Sequence, residues 1–316
     1  MTGASHKAAI IGGGYAGMAA AVELAAAGIA VTVFEAAKEL GGRARRVTLN
    51  GMALDNGQHI LIGAYRETLE LIARVHADPE RALIRRPLEL FLAGEFPAVQ
   101  FHLRAAPLPP PFDLAAGLAF ARGISLVERW SAAVFLLRMR RLNFNLPRDC
   151  TVSELLGKAR QSTRCIRLLW EPLCVSALNT GISEASAQVF LEVVKDSMLG
   201  RSSGKMRDSD FLIPRDDLTS LFPAPAAAFV EARGGRISSA TTIRSVARHA
   251  HGYALEGDPD AGAYAHVIVA VAPHRLAPLL AGLPELAALA QSVEQLDYQP
   301  IVTCYLQYPE HVRLAG

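Results

Sequence analysis

A glycine-rich turn near the N-terminus constrains the fold of this chain more than any other feature. The apolar run Lys7–Ile11 is bounded by glycine and predicts a buried parallel strand. It is followed by the pattern GxGxxG at Gly12, Gly14 and Gly17, and then by an alanine- and leucine-rich stretch that predicts a helix. A second apolar strand ends at Glu35. This order of elements predicts a dinucleotide-binding βαβ unit.

Each part of this motif has a physical role in holding a dinucleotide. Gly12 permits the tight turn, Gly14 lets the backbone approach a pyrophosphate, and Gly17 lets the helix pack closely on the strand. The positive end of the helix faces the phosphate charge. Glu35 follows Gly17 by 18 residues, where a carboxylate accepts hydrogen bonds from the adenosine ribose hydroxyls. An acid there disfavours a 2′-phosphate, so NADP is not expected.

A second glycine pair distinguishes FAD from NAD. Gly41, Gly42 and Arg43 come shortly after Glu35, where a simple NAD dehydrogenase usually begins a crossover helix. The segment resembles the second fingerprint of the amine oxidase and phytoene desaturase superfamily of FAD enzymes. In that superfamily the turn continues along the FAD diphosphate, and Arg43 is expected to add a charge-assisted contact. The alternative is an ordinary loop with a solvated arginine.

The resemblance becomes narrower in the segment DNGQHILIGAYRE, which starts at Asp55. This segment resembles the hydroxysqualene dehydroxylases of bacterial hopanoid pathways, also called squalene-associated FAD-dependent desaturases. Three further stretches resemble the same family, so the resemblance runs through nearly the whole chain. They are WEPLCVSALNT at 170–180, FLIPRDDL at 211–218 and YQPIVTCYL at 298–306.

The resemblance implies an α/β fold in which a Rossmann-like FAD-binding domain carries an inserted α+β substrate domain. The implied FAD-binding domain covers 1–76 and 231–290, and the substrate domain covers 77–230 and 291–316. A long apolar tunnel is implied as well, and the few polar groups of 170–178 suit its walls. The implied reaction removes the hydroxyl of hydroxysqualene reductively to give squalene, with a hydride from reduced FAD.

The same resemblance places several residues beside the cofactor. Gly57 and Gln58 are expected to let the backbone run close to the flavin ring. His59 either packs under the isoalloxazine or donates a proton to the departing hydroxyl. Asp55 is expected to cap the turn rather than act as a base. A residue like Val246 contacts the adenine through its backbone in the superfamily.

Composition narrows the classes of partner. The chain has 32 Lys and Arg against 30 Asp and Glu, a formal charge of +2, which gives no support for nucleic-acid binding. Its four cysteines form no CxxC pair, so no metal site or disulfide framework is expected, and a reduced cytoplasmic setting fits best. The apolar stretch Ala8–Phe34 is interrupted by its glycines, and no other segment reaches about 18 uncharged apolar residues, the length of a membrane span. The oligomeric state is not indicated.

Two features leave alternatives open. The helices predicted over 114–142 are strongly apolar and carry five arginines, so they form either a peripheral membrane patch on the inner face of the cytoplasmic membrane or an ordinary helix pair of the substrate domain. The family's chains continue beyond Gly316 with a second glycine-acid stretch at the FAD, so we expect a C-terminally truncated chain after a final strand over 301–307. A carotenoid-type desaturase and a non-catalytic fragment are the alternative functions.

Overall fold

The computed structural model describes residues 7–57, 59–76, 78–93, 99–198, 202–203, 206–250, 252–309 and 311–312. The strands are β1 (Lys7–Ile11), β2 (Ala30–Phe34), β3 (Arg46–Leu49), β4 (Met52–Asp55), β5 (Leu61–Ile62), β6 (Leu83–Arg86), β7 (Glu89–Ala93), β8 (Val99–Arg104), β9 (Ser202–Ser203), β10 (Met206–Arg207), β11 (Phe211–Pro214), β12 (Arg236–Ser238), β13 (Ser245–His249), β14 (Gly252–Glu256), β15 (Ala263–Tyr264) and β16 (His266–Val269). The α-helices are α1 (Tyr15–Ala26), α2 (Arg66–Val75), α3 (Pro79–Ala82), α4 (Phe112–Ala119), α5 (Leu126–Arg141), α6 (Val152–Lys158), α7 (Thr163–Cys165), α8 (Glu171–Leu178), α9 (Ala187–Met198), α10 (Leu218–Leu221), α11 (Pro223–Glu231), α12 (Leu276–Leu280) and α13 (Ala287–Glu294).

The chain forms two compact units. Unit 1 comprises Met1–His59, Leu71–Asp78 and Asp216–Gly316, and unit 2 comprises Ile60–Glu70 and Pro79–Arg215. The predicted ranges differ from these units in three segments: 216–230 and 291–316 lie in unit 1, and 60–70 lies in unit 2. That unit 1 is the FAD-binding domain and unit 2 the substrate domain stays a prediction.

Unit 1 is built on a parallel sheet with the strand order β12-β2-β1-β16. Strand β1 lies between β2 and β16, and its residues from Ala8 to Ile11 are all buried, as expected for a strand covered on both faces. Helix α1 connects β1 to β2, which confirms the predicted strand, helix and strand. The carboxyl ends of β1 and β2 therefore lie side by side, where open α/β sheets bind their ligands.

An antiparallel sheet of β13, β14 and β15 completes the core of unit 1. Its buried side chains pack with those of β1, β2 and α12, and Phe34 meets Tyr264 edge to face with ring centroids 6.1 Å apart. Strand β13 begins at Ser245 and ends at His249, and the preceding 241–244 is loop.

Unit 2 contains the hairpin β7–β8, the sheet β5-β11-β6 and the helices α4 to α9. Its core surrounds Trp170, which is 2% exposed and packs edge to face on Phe135 and Phe190. The indole Nε1–H donates to Gln161 Oε1 at 2.9 Å. Trp170 is therefore a core residue rather than part of a tunnel wall, because its ring is enclosed by side chains of its own unit.

The predicted strand over 301–307 is wrong. The backbone has no regular structure there, and the side chains are exposed, Val302 by 83%. A strand needs the backbone groups of a neighbouring strand, and none of the described strands pairs with this segment. One side chain anchors it, since the Tyr305 hydroxyl donates to the carbonyl oxygen of Asp55 at 2.7 Å.

Candidate cofactor site

The glycine turn between β1 and α1 is enclosed by backbone. Gly12 has φ +110°, and a Cβ there would lie 2.4 Å from the carbonyl oxygen of Ala270. A Cβ on Gly17 would lie 1.9 Å from the carbonyl oxygen of Gly12. Glycine is required at both positions because any side chain would overlap a backbone carbonyl. The turn thus has a fixed shape at the end of the parallel sheet.

Gly14 differs from its neighbours because the protein does not crowd it. Its backbone is extended (φ −73°, ψ 179°), and the nearest atom to a Cβ would be Gly42 Cα at 3.7 Å. Gly14 is also the N-cap of α1, and that helix start has neither a capping side chain nor an acid in its first turn. Backbone amides at an uncapped helix start bind anions. The uncrowded backbone at Gly14 and the uncapped amides together fit a diphosphate.

Glu35 is fixed beside this turn. Its Oε2 accepts a hydrogen bond from the Gly13 amide at 2.7 Å, and its Oε1 accepts from the Ala37 amide at 2.8 Å. Each carboxylate oxygen has two lone pairs, so each can accept one more hydrogen bond from a ribose hydroxyl. The carboxylate is thus oriented before any ligand binds, as its predicted role requires.

The second glycine pair lies directly against the first turn. The Gly41 amide donates to the carbonyl oxygen of Gly13 at 2.9 Å, and a single 3₁₀ turn, Gly42–Ala44, follows. The guanidinium of Arg43 is exposed and has no hydrogen bond or ion pair with any residue that the structure describes. The neighbouring Arg45 instead donates from Nη1 to the Gly42 carbonyl at 2.9 Å and so supports the turn.

Asp55 holds a loop of unit 1 in place. Its Oδ1 accepts from the Leu218 amide at 2.8 Å, and its carbonyl oxygen accepts from the Gly57 amide at 2.8 Å. Burial raises the pKa of Asp55, and the nearby Asp217 raises it further, while the hydrogen bond from Leu218 opposes both. The carboxylate therefore holds the distant Leu218, while a backbone hydrogen bond closes the turn that Asp55 was expected to cap.

The loop after Asp55 is open. Gly57 has φ +90°, and a Cβ there would make only ordinary contacts, 3.6 Å from Thr303 Oγ1 and 3.7 Å from His59 Cε1. His59 is exposed, and its Nδ1 lies 2.9 Å from the Gly57 carbonyl oxygen. Donation from Nδ1–H to this carbonyl orients the ring and leaves Nε2 free for another partner. Gln58 lies outside the described residues.

Tyr15 links the glycine turn to this loop, which the sequence did not indicate. Its hydroxyl donates to the Leu218 carbonyl at 2.6 Å, and the Leu218 amide donates to Asp55. The ring packs on Phe222 with centroids 5.5 Å apart. Burial raises the pKa of Tyr15 far above its usual range, with Asp55 and Asp217 adding to it. Tyr15 therefore remains a neutral donor.

The predicted contact of the Val246 backbone with the adenine stays a prediction. Val246 stands within β13 opposite Leu255, with its side chain in the core. The segment that meets Glu35 comes earlier: the Glu35 amide donates to the Ser238 carbonyl at 3.0 Å, and the Thr241 amide donates to the Glu35 carbonyl at 2.8 Å. In the sequence, Ser238 and Thr241 are recognisable only as residues at the end of β12. The pairing of β12 with β2 is what shows that they lie beside Glu35.

Nothing in the described ranges looks like a metal site or a membrane span. No group of three or more His, Cys, Asp or Glu side chains there converges as metal ligands would. Within the same residues, no helix combines the length and the apolar character needed to cross a bilayer.

Comparison with known proteins identifies the family. A family model described as flavin containing amine oxidoreductase matches residues 15–316. The chain belongs to this family. The match confirms the predicted superfamily and the flavin cofactor, FAD. Among solved structures, an oxidoreductase from Methanosarcina mazei shares the fold with a TM-score of 0.68 at 17% identity, over 92% of this chain and 65% of that one.

Two curated relatives are similar over most of the chain. A protein of Rhodopseudomonas palustris named hydroxysqualene dehydroxylase is 28% identical over 313 residues, which are 95% of this chain and 67% of the relative. A protein of Sinorhizobium fredii with the same name is 26% identical over 298 residues, which are 87% of this chain and 63% of the relative. The chain thus spans about two thirds of the length of these relatives.

Proposed function

We propose that this flavin-dependent oxidoreductase acts on a long apolar isoprenoid and converts hydroxysqualene to squalene by reductive dehydroxylation. The observation that carries the proposal is the similarity to relatives of that name along 87% and 95% of the chain. The cofactor cradle beside Gly14 supports it, because the reaction needs a bound redox cofactor.

We assign the parts of the cofactor site as follows. The uncapped start of α1 and the space beside Gly14 would hold the FAD diphosphate. Glu35 would accept hydrogen bonds from the ribose hydroxyls. The exposed guanidinium of Arg43, which lies just past the turn packed on Gly13, would add a positive charge near the diphosphate. Thr241 and its neighbours would lie near the ribose because they contact the backbone of Glu35. Val246 would contact the adenine through its backbone, as the resemblance implies.

Bound FAD in its reduced form would supply the hydride that replaces the hydroxyl. The hydroxyl leaves as water, so its oxygen must receive a proton. His59 is the candidate in this chain. Because its Nδ1–H is held by the Gly57 carbonyl, it would donate from Nε2 as the imidazolium and take up its replacement proton from solvent, to which it is exposed. The other predicted role of His59, packing beneath the isoalloxazine, needs no proton. The two roles are separated by substitution, as described in the Discussion.

Product analysis tests the proposed reaction. The purified chain is loaded with FAD and divided. One portion is reduced with dithionite without oxygen and incubated with hydroxysqualene, and the other is kept oxidised and incubated with phytoene. We expect squalene from hydroxysqualene, with one equivalent of reduced flavin consumed per squalene. Oxidation of phytoene by the oxidised enzyme, with no squalene formed, would identify a desaturase instead. A chain that binds no flavin under these conditions would fit the non-catalytic alternative.

We also propose a cytoplasmic location at the inner face of the membrane, which the apolar character of the proposed substrate supports. Cys165 and Cys174 are buried free thiols, which a reducing compartment preserves. Cell fractionation tests this, with recovery from washed membranes as the expected result and a fully soluble pool as the contrary one.

A further inference from the structure

Helix α5 is apolar on two opposite faces. One face carries Ala132, Phe135 and Met139, which are buried in the core of unit 2. A soluble helix usually presents polar residues on the opposite side. Here the opposite side is apolar and exposed, as Val127 at 78% and Trp130 at 71% illustrate. The exposed apolar residues of this face recur at helical spacing: Leu126, Val127, Trp130, Val134 and Leu137.

The corner between α4 and α5 extends this face and is held firmly. Phe120, at the end of α4, is 82% exposed. Arg129 joins the two helices by donating from Nη1 to the Ala119 carbonyl at 2.7 Å and from Nε to the Ile124 carbonyl at 3.3 Å. Ser125 and Glu128 form a capping box at the start of α5. The apolar residues are therefore presented by a fixed corner rather than by a loose loop.

Positive charge flanks the apolar face. Arg138, Arg140 and Arg141 are exposed in the last turns of α5, and they form no ion pair with any residue that the structure describes. Glu128 is the acid of this helix, and its carboxylate accepts hydrogen bonds from Ser125 and Ser162. The arginines are thus available to an outside partner, whereas Arg129 is used within the protein.

We propose that this surface, formed by Phe120, Leu126, Val127, Trp130, Val134, Leu137, Arg138, Arg140 and Arg141 and here called the α5 surface, binds an anionic lipid bilayer. Soluble monomers rarely leave a contiguous apolar patch of this kind exposed. A bilayer offers what both parts of the surface need, an apolar interior for the side chains and anionic headgroups for the guanidinium groups. Tryptophan is favoured at the boundary between the two. The inference does not depend on the proposed reaction.

The two tryptophans of the chain make a direct test available. Trp130 is exposed and Trp170 is 2% exposed, so quenching by a lipid can reach only Trp130. The full chain is mixed with vesicles of phosphatidylglycerol, of phosphatidylcholine, and of each lipid brominated at a shallow or a deep acyl position. We expect cosedimentation with phosphatidylglycerol, a blue shift of the emission, and quenching mainly by the shallow bromines. In Trp130→Phe, the remaining Trp170 emission should be neither shifted nor quenched.

Two sets of variants separate the apolar part from the charged part. Replacing Leu126, Val127 and Trp130 together by serine should abolish vesicle binding. Replacing Arg138, Arg140 and Arg141 together by glutamine should lower the partition coefficient by up to about a hundredfold, because each charge near the surface contributes about 1 kcal/mol. As a matched control, the exposed Arg148, Arg160 and Arg167 are replaced together by glutamine, which should leave binding unchanged.

Three outcomes would overturn the proposal. The first is that the intact chain neither cosediments with phosphatidylglycerol vesicles nor shows quenching by brominated lipid. The second is that the control arginines matter as much as those of α5, which would indicate a diffuse charge effect. The third is self-association of the chain that the serine variant removes, without any binding to vesicles; the α5 surface would then be an interface between copies. None of these depends on hydroxysqualene turnover.

Discussion

The glycine turn and the loop from Asp55 to His59 both belong to unit 1 and both carry predicted FAD contacts, yet they are held in different ways. In the turn, a Cβ on Gly17 would lie 1.9 Å from a backbone carbonyl oxygen. In the loop, a Cβ on Gly57 would have no neighbour closer than 3.6 Å. Packing therefore dictates glycine in the turn, while only the positive φ favours it in the loop.

This difference shows how to interpret a glycine in a binding motif. Where the protein itself fills the space, glycine reports on the fold, as at Gly12 and Gly17. Where a Cβ would have room and the backbone is ordinary, packing gives no reason for glycine, as at Gly14. A glycine of the second kind points to a ligand that approaches the backbone. Gly57 lies between these cases, since its φ of +90° is itself a reason.

The largest expected effect comes from Gly17→Ala. Because the new Cβ would overlap the Gly12 carbonyl, β1 and α1 must separate. We expect the free energy of unfolding to fall by about 3 kcal/mol, measured by urea denaturation without FAD, together with loss of flavin binding. Gly14→Ala is the matched control, since its Cβ has room. It should lower the stability of the FAD-free chain by no more than about 1 kcal/mol, because alanine is a poorer N-cap than glycine, and still weaken FAD binding at least tenfold. Unchanged FAD affinity in Gly14→Ala would place the diphosphate elsewhere.

The next effect is that of Glu35→Ala on the affinity for FAD. The substitution removes the proposed ribose contacts and the acceptor that holds the Gly13 amide. We expect a loss of about 2–4 kcal/mol in binding, measured by fluorescence titration of FAD. Glu35→Gln retains an acceptor oxygen and should lose less. An affinity for NAD that exceeds the affinity for FAD would contradict the assignment of the site.

Substitutions in the loop test its position relative to the flavin. Gly57→Val should block flavin binding and turnover if the backbone passes over the ring, although the protein around Gly57 is open. For His59→Ala, loss of a proton donor predicts a rate lower by about 10²- to 10⁴-fold with FAD still bound. Loss of a packing residue predicts a modest decrease in step with flavin occupancy. Full activity of Gly57→Val would move the reaction away from this loop.

The smallest effect concerns Asp55 and pH. Because the pKa of Asp55 is raised in the folded state, its proton stabilises the fold at low pH, and this stabilisation is lost as the pH rises through that pKa. Asp55→Asn should therefore raise the free energy of unfolding at pH 7 by less than about 1 kcal/mol, and the gain should vanish below about pH 4. Asp55→Ala leaves the Leu218 amide without its acceptor and should destabilise at every pH. A less stable Asp55→Asn at pH 7 would show that the charge itself is needed.

Much of the cofactor site could be predicted because its parts are close in the sequence. The strand, the turn, the helix and the acid occupy 7–35, and local patterns specify each of them. The helices over 114–142 followed from similar local signals. The exposure of the second face of α5 could not be read in this way, because an apolar periodicity does not say whether one face or both are covered.

By itself, then, the sequence determined the βαβ unit, its glycines and the orientation of Glu35 towards the turn, since these depend on backbone sterics within about thirty residues. Tertiary structure decided three other things. It set Ser238 and Thr241 against Glu35 through the pairing of β12 with β2, it joined Tyr15 to Asp55 through Leu218, and it left 301–307 without a strand partner. Each depends on contacts between residues far apart in the chain, and local residue patterns carry no information about which distant segments will meet.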